Sequence, residues 1–257
     1  MVFFVNIVSD FDLPLFWNWR GGGLIMINDF IMKKIANWLV LLMLAMAVDA
    51  AATVPTSETN EKKEIKKVLF IGDSMTGWMA ERLEAYGIQN GFEVSTVLWD
   101  GSTIAKWGTG NRVRNQIERY QPDAVFISLG MNELLERNPE SRLSTYVANI
   151  KKQLGDIPYL WIGPPSWPGK GNGEKLNEWL EEKLPKGHYY CSSSLTLVRQ
   201  SKTNPHPTKD AIRIWMDKVA AFIEANDLMP FKSLDKPTGV QMKRGKVFVY
   251  KRMKETL

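Results

Sequence analysis

Between residues 67 and 225 the chain alternates short apolar runs with stretches whose apolar side chains recur every three or four positions. Residues 68–71, 92–98, 124–129, 159–162 and 189–191 read as strands, being short, apolar and rich in β-branched or aromatic side chains. Between and after them lie amphipathic stretches: Trp78, Met79, Leu83 and Tyr86; Val113, Ile117 and Tyr120; Leu143, Tyr146, Ile150 and Leu154; Leu176, Trp179, Leu180 and Leu184. A fifth stretch, with Ile212, Trp215, Val219, Phe222 and Ile223, keeps a strong 3.6-residue period. Such alternation predicts an α/β domain whose parallel sheet is covered by helices on both faces and joined by right-handed crossovers. The runs 68–71 and 124–129 are continuously apolar, as central strands are, whereas 92–98 alternates and suits an edge. Every loop that follows a strand then opens on one rim of the sheet, where open α/β folds place their ligands.

Both ends of the chain break this pattern. Lys33 and Lys34 precede an apolar segment, 38–48, which small residues follow at Ala50, Ala51 and Ala52. These are the three parts of a secretory signal peptide, so residues 32–52 are expected to direct export to the periplasm or medium, with residues 1–31 an upstream extension. An apolar core of about a dozen residues is short of the roughly 20 that span a bilayer, so no stable membrane span is expected after cleavage. Residues 53–66 read as a polar leader, 67–227 as the domain and 228–257 as a basic extension. Within that extension Val247-Phe248-Val249-Tyr250 alternates in the manner of an appended strand or hairpin.

The formal charge of +5 is unevenly spread. Residues 228–257 hold eight basic and two acidic side chains, while 51–227 are balanced. A solvated tail accounts for that charge, and so does a patch for a polyanion. The balanced domain offers no basic-aromatic face for nucleic acid, and no Gly-rich phosphate loop is present. Two histidines and one cysteine, Cys191, give neither metal-ligand spacing nor an internal disulfide, so no metal or cofactor is expected and Cys191 reads as a buried thiol.

Candidate chemistry lies in the loops of the predicted rim. Gly72-Asp73-Ser74 follows the first strand and leads into a helix, so the Ser74 hydroxyl stands where the helix N-terminus favours developing negative charge. Trp99-Asp100-Gly101-Ser102 follows the second strand, and Gly101 lets a backbone N–H approach a ligand. Gly130-Met131-Asn132-Glu133 follows the third, and the Asn132 amide can donate to an oxyanion. His206, in Asn204-Pro205-His206-Pro207-Thr208, stands on a loop at the entrance to the last helix, because Pro207 disfavours helical backbone at His206. The other histidine, His188, precedes the fifth strand at the opposite end of the sheet and reads as structural.

Taken together, these four blocks resemble the SGNH hydrolase superfamily, also called the GDSL family, over residues 67 to about 226. The resemblance implies a three-layer, flavodoxin-like fold with a five-stranded parallel sheet, and a serine esterase. It makes Ser74 the nucleophile and His206 the general base, with the Ser74 N–H, the Gly101 N–H and the Asn132 side chain as the oxyanion hole. One position departs from the family pattern, which usually has an aspartate three residues before the histidine; here that residue is Thr203. A carboxylate there fixes the imidazole tautomer, and its loss in a serine protease costs roughly 10⁴-fold in turnover. The Thr203 hydroxyl or a backbone carbonyl is the expected substitute, with Asp210 a poorer one.

An exported esterase points to an extracytoplasmic ester, and Trp99, Trp107 and Trp167 in rim loops are candidates for stacking on sugar faces. The expectation is removal of a short acyl group, acetyl above all, from a carbohydrate. An O-acyltransferase acting on a glycan, or an impaired SGNH-fold module that binds one, uses the same residues. The glycine-rich loop 164–173 is expected as a flap on the same rim.

Overall fold

The computed structural model describes residues 64–243, the backbone of 246–250, and Lys34, Ala36, Asn37 and Leu39. The expected upstream extension, signal peptide and polar leader lie, but for those four helical residues and 64–66, outside the described residues. The chain divides into two compact units, Met1–Glu61 and Lys62–Leu257, and the second holds the sheet and every candidate residue of the rim.

Six strands form the sheet: β1 (Lys67–Gly72), β2 (Glu93–Trp99), β3 (Ala124–Ser128), β4 (Tyr159–Ile162), β5 (Tyr189–Tyr190) and β6 (Lys246–Tyr250). They run in the order β5-β4-β3-β1-β2-β6 and every pairing is parallel. The five strands expected from the pattern are all present, at nearly the expected bounds. The appended C-terminal strand is present as well, running parallel to β2 from Ser95↔Lys246 to Trp99↔Tyr250. It covers the edge that β2 presents in a five-stranded sheet, so β2 is an internal strand despite its alternating pattern.

The helices are α1 (Thr76–Asn90), α2 (Ile104–Trp107), α3 (Arg112–Tyr120), α4 (Pro139–Leu154), α5 (Glu174–Lys183) and α6 (Lys209–Ala225). Successive residues of β1 serve opposite faces, which is why the run is apolar throughout. Val68 and Phe70 join Met79 and Leu83 of α1 and Trp215 and Val219 of α6. Leu69 and Ile71 join Trp107, Ile117, Ile150 and Leu180 from α2 to α5. Each such side chain taken from water contributes about 1.5–3 kcal/mol before the entropic cost of ordering it.

The segment after α6 belongs to the domain and does not trail from it. Met229 and Leu234 are buried, and Phe231 packs against Phe92 at 5.0 Å. Further on, the wholly buried Arg82 of α1 donates to Asp217 Oδ1 of α6 at 2.7 Å, to Gln241 O at 2.7 Å and to Pro237 O at 3.3 Å. Tyr86 donates to the same Asp217 oxygen, and Lys236 lies 3.1 Å from the other. A buried guanidinium is tolerated only when paired in this way, and removing one member leaves the partner charge uncompensated. Arg82→Ala is therefore expected to lower stability by about 3–5 kcal/mol in urea unfolding. A loss below about 1 kcal/mol would show that the network is dispensable.

Candidate active site

The serine turn is built by a close approach between β1 and β3. A Cβ on Gly72 would stand 2.3 Å from both Ser128 O and Thr76 Oγ1, so only glycine fits where the two strands end side by side. Asp73 N then donates to Ser128 O at 3.1 Å, and the wholly buried Asp73 carboxyl turns back to accept from Met75 N at 2.9 Å. Together with the Thr76 N–H, which donates to Asp73 O, this tethers the first turn of α1 immediately behind Ser74. Ser74 itself is half-buried. Burial pushes the Asp73 carboxyl up to about 7, against the pull of the Met75 and Met131 N–H groups, and the Asp100 charge adds to the rise.

Two further loops are tied to each other beside it. Trp99 to Ser102 forms a β-turn, with Ser102 N donating to Trp99 O at 3.0 Å and Gly101 at φ +66°. Gly130, at φ +116° and against Pro164, opens a 3₁₀ turn, Met131–Glu133. Asn132 Nδ2 donates to Ser102 O at 2.6 Å, and Glu133 Oε1 accepts from Ile104 N at 2.6 Å. An amide NH₂ has two hydrogens, so the first bond orients Asn132 and leaves the second N–H to donate elsewhere. Burial raises the Glu133 carboxyl to about 8, opposed by the Ile104 N–H and assisted by the nearby Asp73 charge. The sequence carries no signal for this role, since Glu133 reads there as one more polar loop residue.

His206 is half-buried, and its partner is Asn204, not Thr203. Both the His206 backbone N–H, at 2.9 Å, and His206 Nδ1, at 2.6 Å, face Asn204 Oδ1. A backbone N–H can only donate, so the shared atom is an acceptor and Nδ1 must carry a hydrogen. The neutral ring therefore has its lone pair on Nε2, the tautomer that a general base requires. Asn204 is held in turn by Nδ2 donating to Gln200 Oε1 at 3.0 Å, and by Ser201 Oγ, which accepts from its backbone N–H at 3.1 Å. Thr203 faces solvent, with its hydroxyl 3.4 Å from Ser201 Oγ. The expectation that Thr203 replaces the usual carboxylate is corrected accordingly: the loop turns Asn204 inward, because Gln200 and Arg199 bind the segment on either side.

Burial lowers the His206 pKa, with the Arg199 charge acting the same way and that of Asp100 opposing them. The Asp100 charge thus bears on both Asp73 and His206. The Ser74 hydroxyl forms no hydrogen bond among the described residues, His206 included.

The three tryptophans separate. Trp99 and Trp107 are 1% and 0% exposed and pack edge to face at 5.7 Å, so they cannot stack on a ligand. They form the floor of the Gly101 turn, with Trp107 Nε1 donating to Ser102 Oγ at 2.9 Å. The expectation of rim-loop residues is corrected for both: Trp99 is the last residue of β2 and Trp107 the last of α2, and each side chain belongs to the core. Trp167 is half-buried in the loop expected as a flap, which is closed into a hairpin by Trp167 N to Gly171 O at 2.7 Å. Cys191 is half-buried, 3.2 Å from Ser193 Oγ, and His188 contacts Tyr159 O at 3.0 Å, a structural role.

The rim thus carries a serine on a strand-to-helix turn, an asparagine amide oriented by one of its two N–H groups, and a histidine held as its Nδ1–H tautomer. No protein-family model matches the chain, and no curated relative matches its sequence. Among solved structures it is similar to a protein from Desulfitobacterium hafniense described as lipolytic and of the G-D-S-L family. The two share 16% identity over 61% of this chain and 99% of that one, with a TM-score of 0.48. It is also similar to a psychrotrophic esterase from Pseudoalteromonas, at 18% identity over 62% and 97% of the two chains and a TM-score of 0.44. A two-domain esterase active on acetylated mannans shares 14% identity over 68% of this chain and 53% of its own, with a TM-score of 0.48. These likenesses are too loose to carry the chemistry, which rests on the residues above. Among the described residues no group of histidine, cysteine and carboxylate side chains could hold a metal, and no helix is long and apolar enough to cross a membrane.

The His206 ring is expected to titrate below 6.5 when its ring protons are followed by NMR. Asn204→Asp should move that titration upward, since a carboxylate at Nδ1 favours the imidazolium. Thr203→Ala should leave it in place. The reverse ranking of the two variants would return Thr203 to the site.

Proposed function

We propose that the chain is a serine esterase that removes a short acyl group, acetyl above all, from a carbohydrate outside the cytoplasm. The observation that carries this reading is the Asn204–His206 pair, which leaves a basic Nε2 without a carboxylate. In the reaction Nε2 takes the Ser74 proton as Oγ attacks the ester carbonyl. The resulting oxyanion meets the second Asn132 N–H together with the N–H groups of Gly101 and Ser74. Collapse expels the alcohol, which takes the proton from His206 and leaves acyl-Ser74. Water, activated by the same nitrogen, then releases the acid.

Asparagine fixes the tautomer but adds no negative charge to steady the imidazolium. Asp100, whose charge favours the protonated ring, supplies part of that effect from the neighbouring turn. The signal-peptide pattern before residue 53 supports export. The half-buried Trp167, joined to the histidine loop by Arg199, supports a sugar-bearing substrate.

The reading is tested with the full chain on an aryl acetate and on acetylated glycans. Ser74→Ala should lose at least about 10³-fold in kcat and should no longer be labelled by a fluorophosphonate. A variant that kept its rate would end the acyl-enzyme mechanism. The pH dependence of kcat/KM carries its own sign. A depressed His206 pKa keeps the base neutral to lower pH, so the acid limb of the profile should lie below that of a free imidazole. An acid limb centred above 7 would contradict this.

A further inference from the structure

A cavity of about 690 Å³ lies between the Trp167–Gly171 hairpin and the chain from Leu197 to Lys202. Its apolar surface comes from Trp167, Leu197 and Val198, the last 69% exposed. Its charged groups are Lys170, Arg199 and Lys202, and no carboxylate lines it. Two donors on these lining residues, Trp167 Nε1 and Arg199 Nε, are buried without a partner among the described residues. These two donors are shielded from the cavity, so its demand on a ligand comes from the cations, which call for negative charge, and from the apolar surface, which calls for a flat face to cover it.

Arg199 connects this cavity to the catalytic base. Its guanidinium donates both to Ser166 O, the residue before Trp167, and to Pro205 O, the residue before His206. The Arg199 backbone also bridges Pro207 in antiparallel fashion. One side chain therefore belongs to the wall of the cavity and to the loop that presents His206, so whatever fills the cavity sits beside the base.

We propose that this cavity is a subsite for an acidic sugar, a pyranose ring bearing a carboxylate, in the part of the substrate that neighbours the acylated residue. The ring face lies on Trp167 and the Leu197–Val198 surface, and the carboxylate meets Lys170 and Lys202. A simple anion leaves the apolar surface bare, and a neutral sugar leaves the lysines unused. This assignment rests on the esterase reading for its place in the reaction, but not for the binding itself.

Binding by the full-length Ser74→Ala chain separates the two. A galacturonate pentasaccharide should quench tryptophan fluorescence and bind at least about tenfold more tightly than a neutral mannopentaose, with affinity falling as salt is raised. Lys170→Ala with Lys202→Ala should weaken the galacturonate by about tenfold or more and leave the mannopentaose unchanged. Trp167→Ala, which removes the ring face, should weaken both. Equal affinity for the two oligosaccharides, or a double lysine variant that binds galacturonate as tightly as its parent, would overturn the subsite. In the serine-containing chain the same lysine variant should hydrolyse an aryl acetate at the unaltered rate. An inert wild type that still binds galacturonate would overturn the esterase reading alone and support the subsite.

Discussion

Everything at the rim depends on how closely β1 and β3 approach where they end. At Gly72 a side chain has no room, because Ser128 O and Thr76 Oγ1 occupy the space a Cβ needs. Glycine there lets Asp73 N bond across to Ser128 O, and the chain then turns directly into α1. The position of Ser74 is thus a consequence of backbone geometry fixed by two central strands. Those strands are fixed in turn by apolar side chains on both faces of the sheet. A site built this way inherits the rigidity of the core.

The donor loops are held by a different device. Asn132 grips Ser102 O, Glu133 grips Ile104 N, and the two bonds lock the Gly101 turn to the Asn132 turn. Beneath them lie two buried carboxyls, Asp73 and Glu133, both raised towards neutrality by desolvation. Fully ionised, they would set negative charge under the Gly101 and Asn132 turns. Burial raises both towards neutrality and lessens this charge, while the backbone N–H groups they accept from pull the other way, favouring the ionised form. Trp99 and Trp107 complete the support from below, filling the space under the turn with rigid rings.

The base is organised from a third direction. Arg199 and Gln200 bind the backbone on both sides of His206, with Gln200 N donating to His206 O at 3.0 Å. Asn204, held by Gln200, then presents one oxygen to both the backbone and the ring of His206. His206 is thus oriented by a neutral amide, while the Asp100 charge favours its protonated form.

Much of the fold was legible in the sequence, because strand and helix periods are properties of neighbouring residues. The five central runs, the helices between them and the alternation at 247–250 all appear where their patterns place them. So do the serine turn, the Gly101 turn and the Asn132 turn, since each is a short loop bounded by a strand on one side. What the tertiary structure alone decided concerns residues whose surroundings come from far along the chain. The buried state of Trp99 and Trp107 depends on helices that close over them, and the covering of β2 depends on a strand that returns from the C-terminus. The choice of Asn204 over Thr203 depends on a loop that Arg199 ties to Ser166, more than thirty residues earlier in the chain. A local pattern encodes which elements form, whereas access to a given atom is set by everything that packs against it.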